Sequence, residues 1–430
     1  MSNTKGLKNY RLTEYSVLVC ILLVKIWCGF ANQALLFAVG GVISTAIDLG
    51  LCVYLLLNAR RRKNEIKSTV SQTNFLLVWL TFAVIYSLVF LVGSEGVSSV
   101  SVMGMFELPK MIYNMLFSVI YLCPLIMVVR GLNENERQLV SNLLLVIFFA
   151  VALANLITAI MNPELVKNDA YNEGTSLFTL GYSGSYSLML ITPILLYKLG
   201  ASKHKVVFSL LLACNLASIF YGGYFIAILG TLVALVMYLI LSIKNKALVL
   251  ALGLLLIGGA VAFIISGALE ETMWYLADNI EIEVISGRCR DIAQYLSGDT
   301  DVTQADTTFR IFIYEDTFNQ FLKHPLLGNY IFGNYDCQWD HSTILDLLSV
   351  GGIFLCGLFF AVIGFGYKFA CAFIKDDRAR RALLAAIVAY LFVASVNSAL
   401  SYKSLGILFV LAPIIMGGAE KNEDTDTPSL

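Results

Sequence analysis

Charge is what this chain is short of. Asp, Glu, Lys and Arg make up 14% of its 430 residues, against 58% hydrophobic, where a soluble protein carries about 25% charged residues. That deficit excludes an ordinary soluble domain, and a mean hydropathy of +0.78 points to a polytopic membrane protein. A cleavable signal peptide is not expected either: the first apolar run carries Lys25 and leads straight into another without a small-residue cleavage site. Internal repetition is missing too, since the two halves do not match in loop pattern. A major-facilitator transporter would show two six-span halves joined by a long inner linker. Here the long connection follows the ninth apolar run instead, which argues against that class.

What is present is a succession of apolar runs of the length a bilayer demands, roughly 17–25 residues. Twelve are expected, at 14–32, 34–58, 74–93, 111–129, 139–160, 178–197, 206–221, 223–243, 247–268, 342–367, 382–400 and 404–418. The fold class is therefore an all-α polytopic membrane protein. The net charge of −1 says little; the distribution of Lys and Arg sets orientation. With the N-terminus inside, 21 of the 29 basic residues fall on inner segments, seven outside and Lys25 within a span. Both termini are then cytoplasmic. The Arg60–Lys63 cluster reads as a topology anchor rather than a nucleic-acid patch. The organisation expected is spans one to nine over 1–268, an extracytoplasmic loop over 269–341, spans ten to twelve over 342–418 and a disordered acidic tail over 419–430.

The loop is the one polar stretch with room for chemistry. Between Glu270 and Asp340 it holds 13 acidic and 4 basic residues, namely Arg288, Arg290, Arg310 and Lys323, on a side that otherwise has few cations. Asp291–Gly298 and Thr308–Lys323 have helix-like apolar spacing, predicting short amphipathic helices on the membrane face, the second ended by Pro325 and Gly328. Cys289 and Cys337 both fall in the loop, so a disulfide there is open if that side is oxidising. The remaining seven cysteines read as small buried hydrophobes.

A transferase facing outward needs a donor that arrives activated and lipid-anchored. A departing diphosphate needs cations to stabilise it, and arginine binds phosphate oxygens bidentately without losing its proton. An attacking sugar hydroxyl needs a base, the task for which histidine is suited. Arg288, Arg310 and His341 meet that specification. Arg290, Tyr314 and Asp346 are candidate substrate contacts. Asp346 sits about one turn into the tenth span, where an unpaired carboxylate is costly, so it is expected to orient a loop arginine or His341.

Each residue has a plainer reading. His341 is an interfacial histidine on that view, Arg310 an anchor or ion-pair partner of Glu315 and Asp316, and Tyr314 part of an aromatic belt. His324 reads as a turn residue. Asp299-Thr300-Asp301 reads as a solvated turn rather than a metal-binding DxD string, and Lys25 and Asp48 as a pair or as snorkelling side chains.

These residues together resemble the O-antigen polymerases (Wzy type) and the O-antigen ligases (WaaL type). Those families carry a loop arginine with an aromatic four positions on, a Pro-x-x-Gly about fifteen positions after the arginine, and a histidine opening a glycine-containing span. Here stand Arg310, Tyr314, Pro325-Leu326-Leu327-Gly328, and His341 leading to Gly351-Gly352. Ser286-Gly287-Arg288, followed by Leu296-Ser297-Gly298, is similar to the second arginine motif of many polymerases. The Ser-Arg-Gly-like element near the seventh span is replaced by Ser218-Ile219-Phe220-Tyr221-Gly222-Gly223, leaving a third arginine without a counterpart; Lys110 or Lys167 are the available substitutes.

The resemblance implies a C-type glycosyltransferase fold in the bacterial inner membrane, without metal or other cofactor and without nucleic acid. It implies undecaprenyl-diphosphate-linked glycans and membrane lipids as partners, and it admits a chain-length regulator protein. His341 would be the base, with Arg310 and Arg288 on the diphosphate. A polymerase is the first reading, a ligase the second, and a lipid-linked oligosaccharide flippase the alternative from another class.

Overall fold

The computed structural model describes residues 13–27, 47, 50–58, 70–92, 99–102, 106–109, 112, 115, 119, 122–123, 125–127, 131–162, 165, 181–243, 245–298, 306–334, 341–400 and 402–417. Helix fills most of the described part of each apolar run. The elements are α1 (Glu14–Trp27), α2 (Val70–Val92), α3 (Glu134–Met161), α4 (Gly181–Ala201), α5 (Lys205–Tyr221), α6 (Phe225–Ser242) and α7 (Lys246–Ile265). Three shorter helices follow, α8 (Ala268–Asn279), α9 (Glu283–Leu296) and α10 (Asp306–Lys323). The chain then re-enters the bundle as α11 (Thr343–Cys371) and α12 (Asp377–Val396). The last helix, α13, runs over 402–417, with a π-helical turn at Ile407–Leu411 between its two α-helical ends. Five of the described helices are long and apolar enough to cross a membrane: Val70–Leu91, Glu134–Met161, Phe225–Ser242, Thr343–Cys371 and Asp377–Val396.

The all-α expectation did not include a hairpin, yet β1 (Ser99–Val102) pairs antiparallel with β2 (Phe106–Pro109), Val100 opposite Leu108. The Ser-Val-Ser-Val alternation is the period-2 pattern of a strand.

Faces are sorted by packing rather than by hydrophobicity, as expected where lipid is as apolar as leucine. On α2, Phe75, Trp79, Phe82, Tyr86 and Phe90 point inward while Leu77, Val84, Leu88 and Leu91 are exposed. From Trp79 to Phe90 the inward rings meet one another at tilted angles and reach Phe359 of α11 and Tyr330 of the loop. α12 packs against α4 and α6 along a face of small residues, Ala379, Ala382, Ala386, Ala389 and Ala394, all fully buried. Small side chains let backbones approach closely. Gly230 of α6 shows how closely: a Cβ there would lie 2.3 Å from the Met189 sulfur and 3.0 Å from Val393. α3 begins with a capping box between Asn133 and Glu136, and the buried Glu136 carboxylate accepts from the Thr13 hydroxyl, tying α1 to α3.

At the same end of the bundle, where Arg137 lies over the Phe373 ring, the cations anticipated on the inner side act as helix caps. Arg380 donates to the carbonyls of Ile374 and Cys371, and Arg381 to those of Leu241 and Ser242 at the end of α6. Guanidinium groups there answer orphan carbonyls and the negative ends of helix dipoles.

Candidate active site

The approach to the site is made by a turn that plugs a broken helix. Gly352 sits inside α11 at φ 67°, ψ −169°, a conformation open essentially to glycine alone. The break strips the N–H groups of Ile353 and Phe354 of their helical acceptors, and the carbonyls of Pro325 and Leu326 replace them at 2.8 and 3.3 Å. The freed Ser349 carbonyl accepts from both the backbone N–H and the side-chain Nδ2 of Asn329, each at 2.9 Å. Asn329 Nδ2 also donates to the Gln320 carbonyl near the end of α10 at 2.8 Å. Gly328, at φ 75°, lies so close that a Cβ would fall 2.2 Å from the Val350 oxygen. The Pro-x-x-Gly and Gly-Gly elements are therefore two halves of one joint. It fixes the C-terminal end of α10 against α11.

A second joint fixes the start of α11. Ser342 caps it by accepting the Leu345 N–H at 3.2 Å, while its hydroxyl donates to the Ser395 carbonyl at 2.8 Å. The Thr343 N–H donates to the Asn397 carbonyl at 3.2 Å, and the Thr343 hydroxyl accepts the Ala399 N–H at 2.8 Å. Asn397 in turn donates to the Tyr186 hydroxyl of α4 at 2.6 Å. α10 reaches this same place, because the Tyr314 hydroxyl donates to the Val396 carbonyl at 2.6 Å. Tyr314 and Ser342 thus grip carbonyls of adjacent residues at the C-terminal end of α12.

The predicted residues fall around this point as follows. His341, half-buried, directly precedes the Ser342 cap. Arg310, also half-buried, lies four residues before Tyr314 and so shares its face of α10. Asp346 is buried in the first turn of α11, where the positive end of the helix dipole favours a carboxylate. Its N–H donates to the Ser342 carbonyl at 2.8 Å. The Tyr314 hydroxyl hydrogen is committed to the Val396 carbonyl.

Arg288 and Arg290 stand on α9, which begins at Glu283 and not at Asp291 as the apolar spacing suggested. Arg288 pairs with Asp291 at 3.5 Å, both partly exposed, and Arg290 is exposed. Between them Cys289 points the other way, into a small cluster with Ala277 and Ile285 over Phe225 and Ile228 of α6. It is a free thiol, pushed up from its ordinary pKa by burial. Cys337 lies outside the described residues, as do Asp299–Asp301, Asp48, Lys110, Lys167, Arg60–Lys63 and the acidic tail. The His324 ring stacks on Phe332 at 4.1 Å within the turn, as a turn residue would. Among the described residues no group of three or more His, Cys, Asp or Glu could hold a metal ion.

Asn329, Ser342 and the 394–397 carbonyls were not singled out in the sequence. A lone Asn or Ser has no periodic signal, and backbone carbonyls have no sequence signature at all.

This is a multi-pass helical membrane protein with a polar helical unit docked on the ends of two of its bundle helices. Residues 207–329 match the family model described as O-antigen ligase, which is consistent with an O-antigen polymerase/ligase family of membrane glycosyltransferase-like enzymes. The match takes in Arg288, Arg310, Tyr314 and the Pro325–Gly328 turn; His341 and Asp346 lie beyond it. No curated protein matches the chain.

Proposed function

We propose that this protein is a polysaccharide polymerase of the inner membrane, of the O-antigen or capsule type, with twelve spans, cytoplasmic termini and the 269–341 loop outward. It transfers a growing glycan from undecaprenyl diphosphate to a sugar hydroxyl of an incoming lipid-linked repeat unit. The hydroxyl oxygen attacks the anomeric carbon, the bond from that carbon to the diphosphate oxygen breaks, and the diphosphate departs with the electron pair. His341 takes the hydroxyl proton, and Arg310 with Arg288 neutralises the leaving group. Arg290, Tyr314 and Asp346 contact substrate or orient these groups.

One observation carries this reading. The helix bearing Arg310 and the segment bearing His341 are both pinned by hydrogen bonds to adjacent carbonyls of α12, through Tyr314 and Ser342. Such pinning is the pre-organisation that positioned electrostatic catalysis requires. The test replaces His341 or Arg310 by Ala in the membrane-embedded protein. Long-chain polymer should vanish while the folded protein remains, and undiminished polymer from either variant overturns the proposal.

The description of the matched family as O-antigen ligase favours a second reading, transfer of finished polymer to a lipid A core or another acceptor. A deletion strain separates the two. Single-repeat products indicate a lost polymerase, and intact lipid-linked long chains indicate a lost ligase.

A further inference from the structure

The turn that plugs α11 is buried on one side only. Gly328, Asn329 and Tyr330 face the bundle, whereas Leu326, Leu327, Ile331 and Phe332 are 70%, 46%, 51% and 57% exposed. Four large apolar side chains on one short turn are not a normal solvent face, and Phe318 and Leu322 extend the patch back along α10. What covers them follows from the joint. Ile353 and Phe354, hydrogen-bonded to Pro325 and Leu326, open the part of α11 after the break and are themselves 54% and 52% exposed. They belong to a helix apolar enough to cross a membrane.

Length sets the depth. α11 has 29 residues, about 43 Å of helix at a rise of 1.5 Å per residue, whereas a hydrocarbon core of about 30 Å needs about 20. Residues 353–371 supply nearly that number by themselves, and the preceding stretch 343–351 is the part that holds the buried Asp346. Gly352 then marks the edge of the hydrocarbon, and the turn lies level with the first turn of the span.

We infer that the 325–332 turn is a wedge inserted among the acyl chains of the leaflet on the loop's side, continuous with the lipid-facing surface of α11. The expectation from sequence concerned amphipathic helices lying on the membrane; the wedge is the turn after the second of them, and it is anchored by backbone bonds rather than by amphipathicity alone. It sets the depth of the C-terminal end of α10. The inference does not depend on which reaction the site performs.

The test uses the full native chain in phosphatidylethanolamine/phosphatidylglycerol nanodiscs, labelled by an acyl-chain diazirine or by a water-soluble diazirine, with adducts located by residue-level mass spectrometry. Leu326, Leu327, Ile331 and Phe332 should take the acyl-chain label as strongly as Ile353 and Phe354, and several-fold more than the exposed Tyr295 of α9. The water-soluble reagent should show the reverse order. Water-soluble labelling of the turn equal to that of Tyr295 overturns the inference. So does protection from both reagents, which would place a second copy of the chain over the patch.

Discussion

The two ends of α12 are held in opposite ways. At its N-terminal end Asp376 caps the helix by accepting the Arg378 N–H at 2.8 Å, Arg378 and Arg380 pair with carboxylates on exposed surface, and the long stems of Arg380 and Arg381 reach part-buried orphan carbonyls. At its C-terminal end the carbonyls of Ser395, Val396 and Asn397 accept from a serine, a tyrosine and a backbone amide. Long cations in water hold a helix end tolerantly, because a flexible stem can find another geometry and exposed pairs are weak. Short hydroxyls and amides in a packed setting hold it in one geometry or leave a buried group unpaired. The contrast teaches where the molecule is built to be stiff. The stiff end is the one beside Arg310 and His341, as a site that acts by positioning requires.

The largest effect should come from breaking the joint that supports that end. Gly352→Ala forces a side chain into a positive-φ, extended-ψ conformation whose cost alone is about 1–3 kcal/mol. The new Cβ would also lie 2.3 Å from the Leu326 oxygen. Loss of folded protein, or a large fall in melting temperature in detergent, is expected. An Ala variant that melts like the parent would show that the turn is not seated on α11. Asn329→Ala comes next. It removes the Nδ2 that bridges Gln320 and Ser349; Ser349 keeps the backbone N–H of residue 329, while the part-buried Gln320 carbonyl loses this donor, a cost of about 1–3 kcal/mol. Lost stability with polymer synthesis still intact at low temperature would separate this structural role from chemistry.

How much of this could be read in the sequence differs between the same two regions. The helical spans were legible because a run of about 20 apolar residues has few alternatives, and the described helices fall on the expected runs. The capping arginines were visible as a cluster of basic residues, although charge bias says nothing of which carbonyls they reach. In the loop, α8 and the first half of α9 went unmarked, because Glu270, Glu271, Asp278, Glu281 and Glu283 interrupt the apolar period that reveals a helix. Arg288 therefore stands on a helix that the spacing did not predict. Pro325 and Gly328 were noticed as punctuation, and Gly351 and Gly352 as part of the motif that carries the family resemblance. That they touch is a long-range fact, and neither element shows it alone. Tyr314 was chosen by its spacing from Arg310, yet its partner is a main-chain oxygen 82 residues away.

A more modest loss is expected from Tyr314→Phe. The ring stays and one hydrogen bond to Val396 goes, costing about 0.5–1.5 kcal/mol if water reaches the carbonyl. Because the same bond pins the helix carrying Arg310, polymer length or rate should fall more than stability does. Equal melting temperature with unchanged polymer would remove Tyr314 from the positioning scheme.

The smallest effect belongs to the tolerant end. Arg378 pairs with Asp376 at 3.5 Å while 62% of its side chain is exposed, and exposed pairs of this kind are worth about 0–1 kcal/mol. Arg378→Lys and Arg378→Ala should therefore melt almost like the parent, with any difference disappearing at high salt, where exposed charges are screened. Should Arg378→Ala destabilise as much as Asn329→Ala, the two ends of α12 would be equally stiff. Rigidity would then no longer mark out the end at which Arg310 and His341 stand.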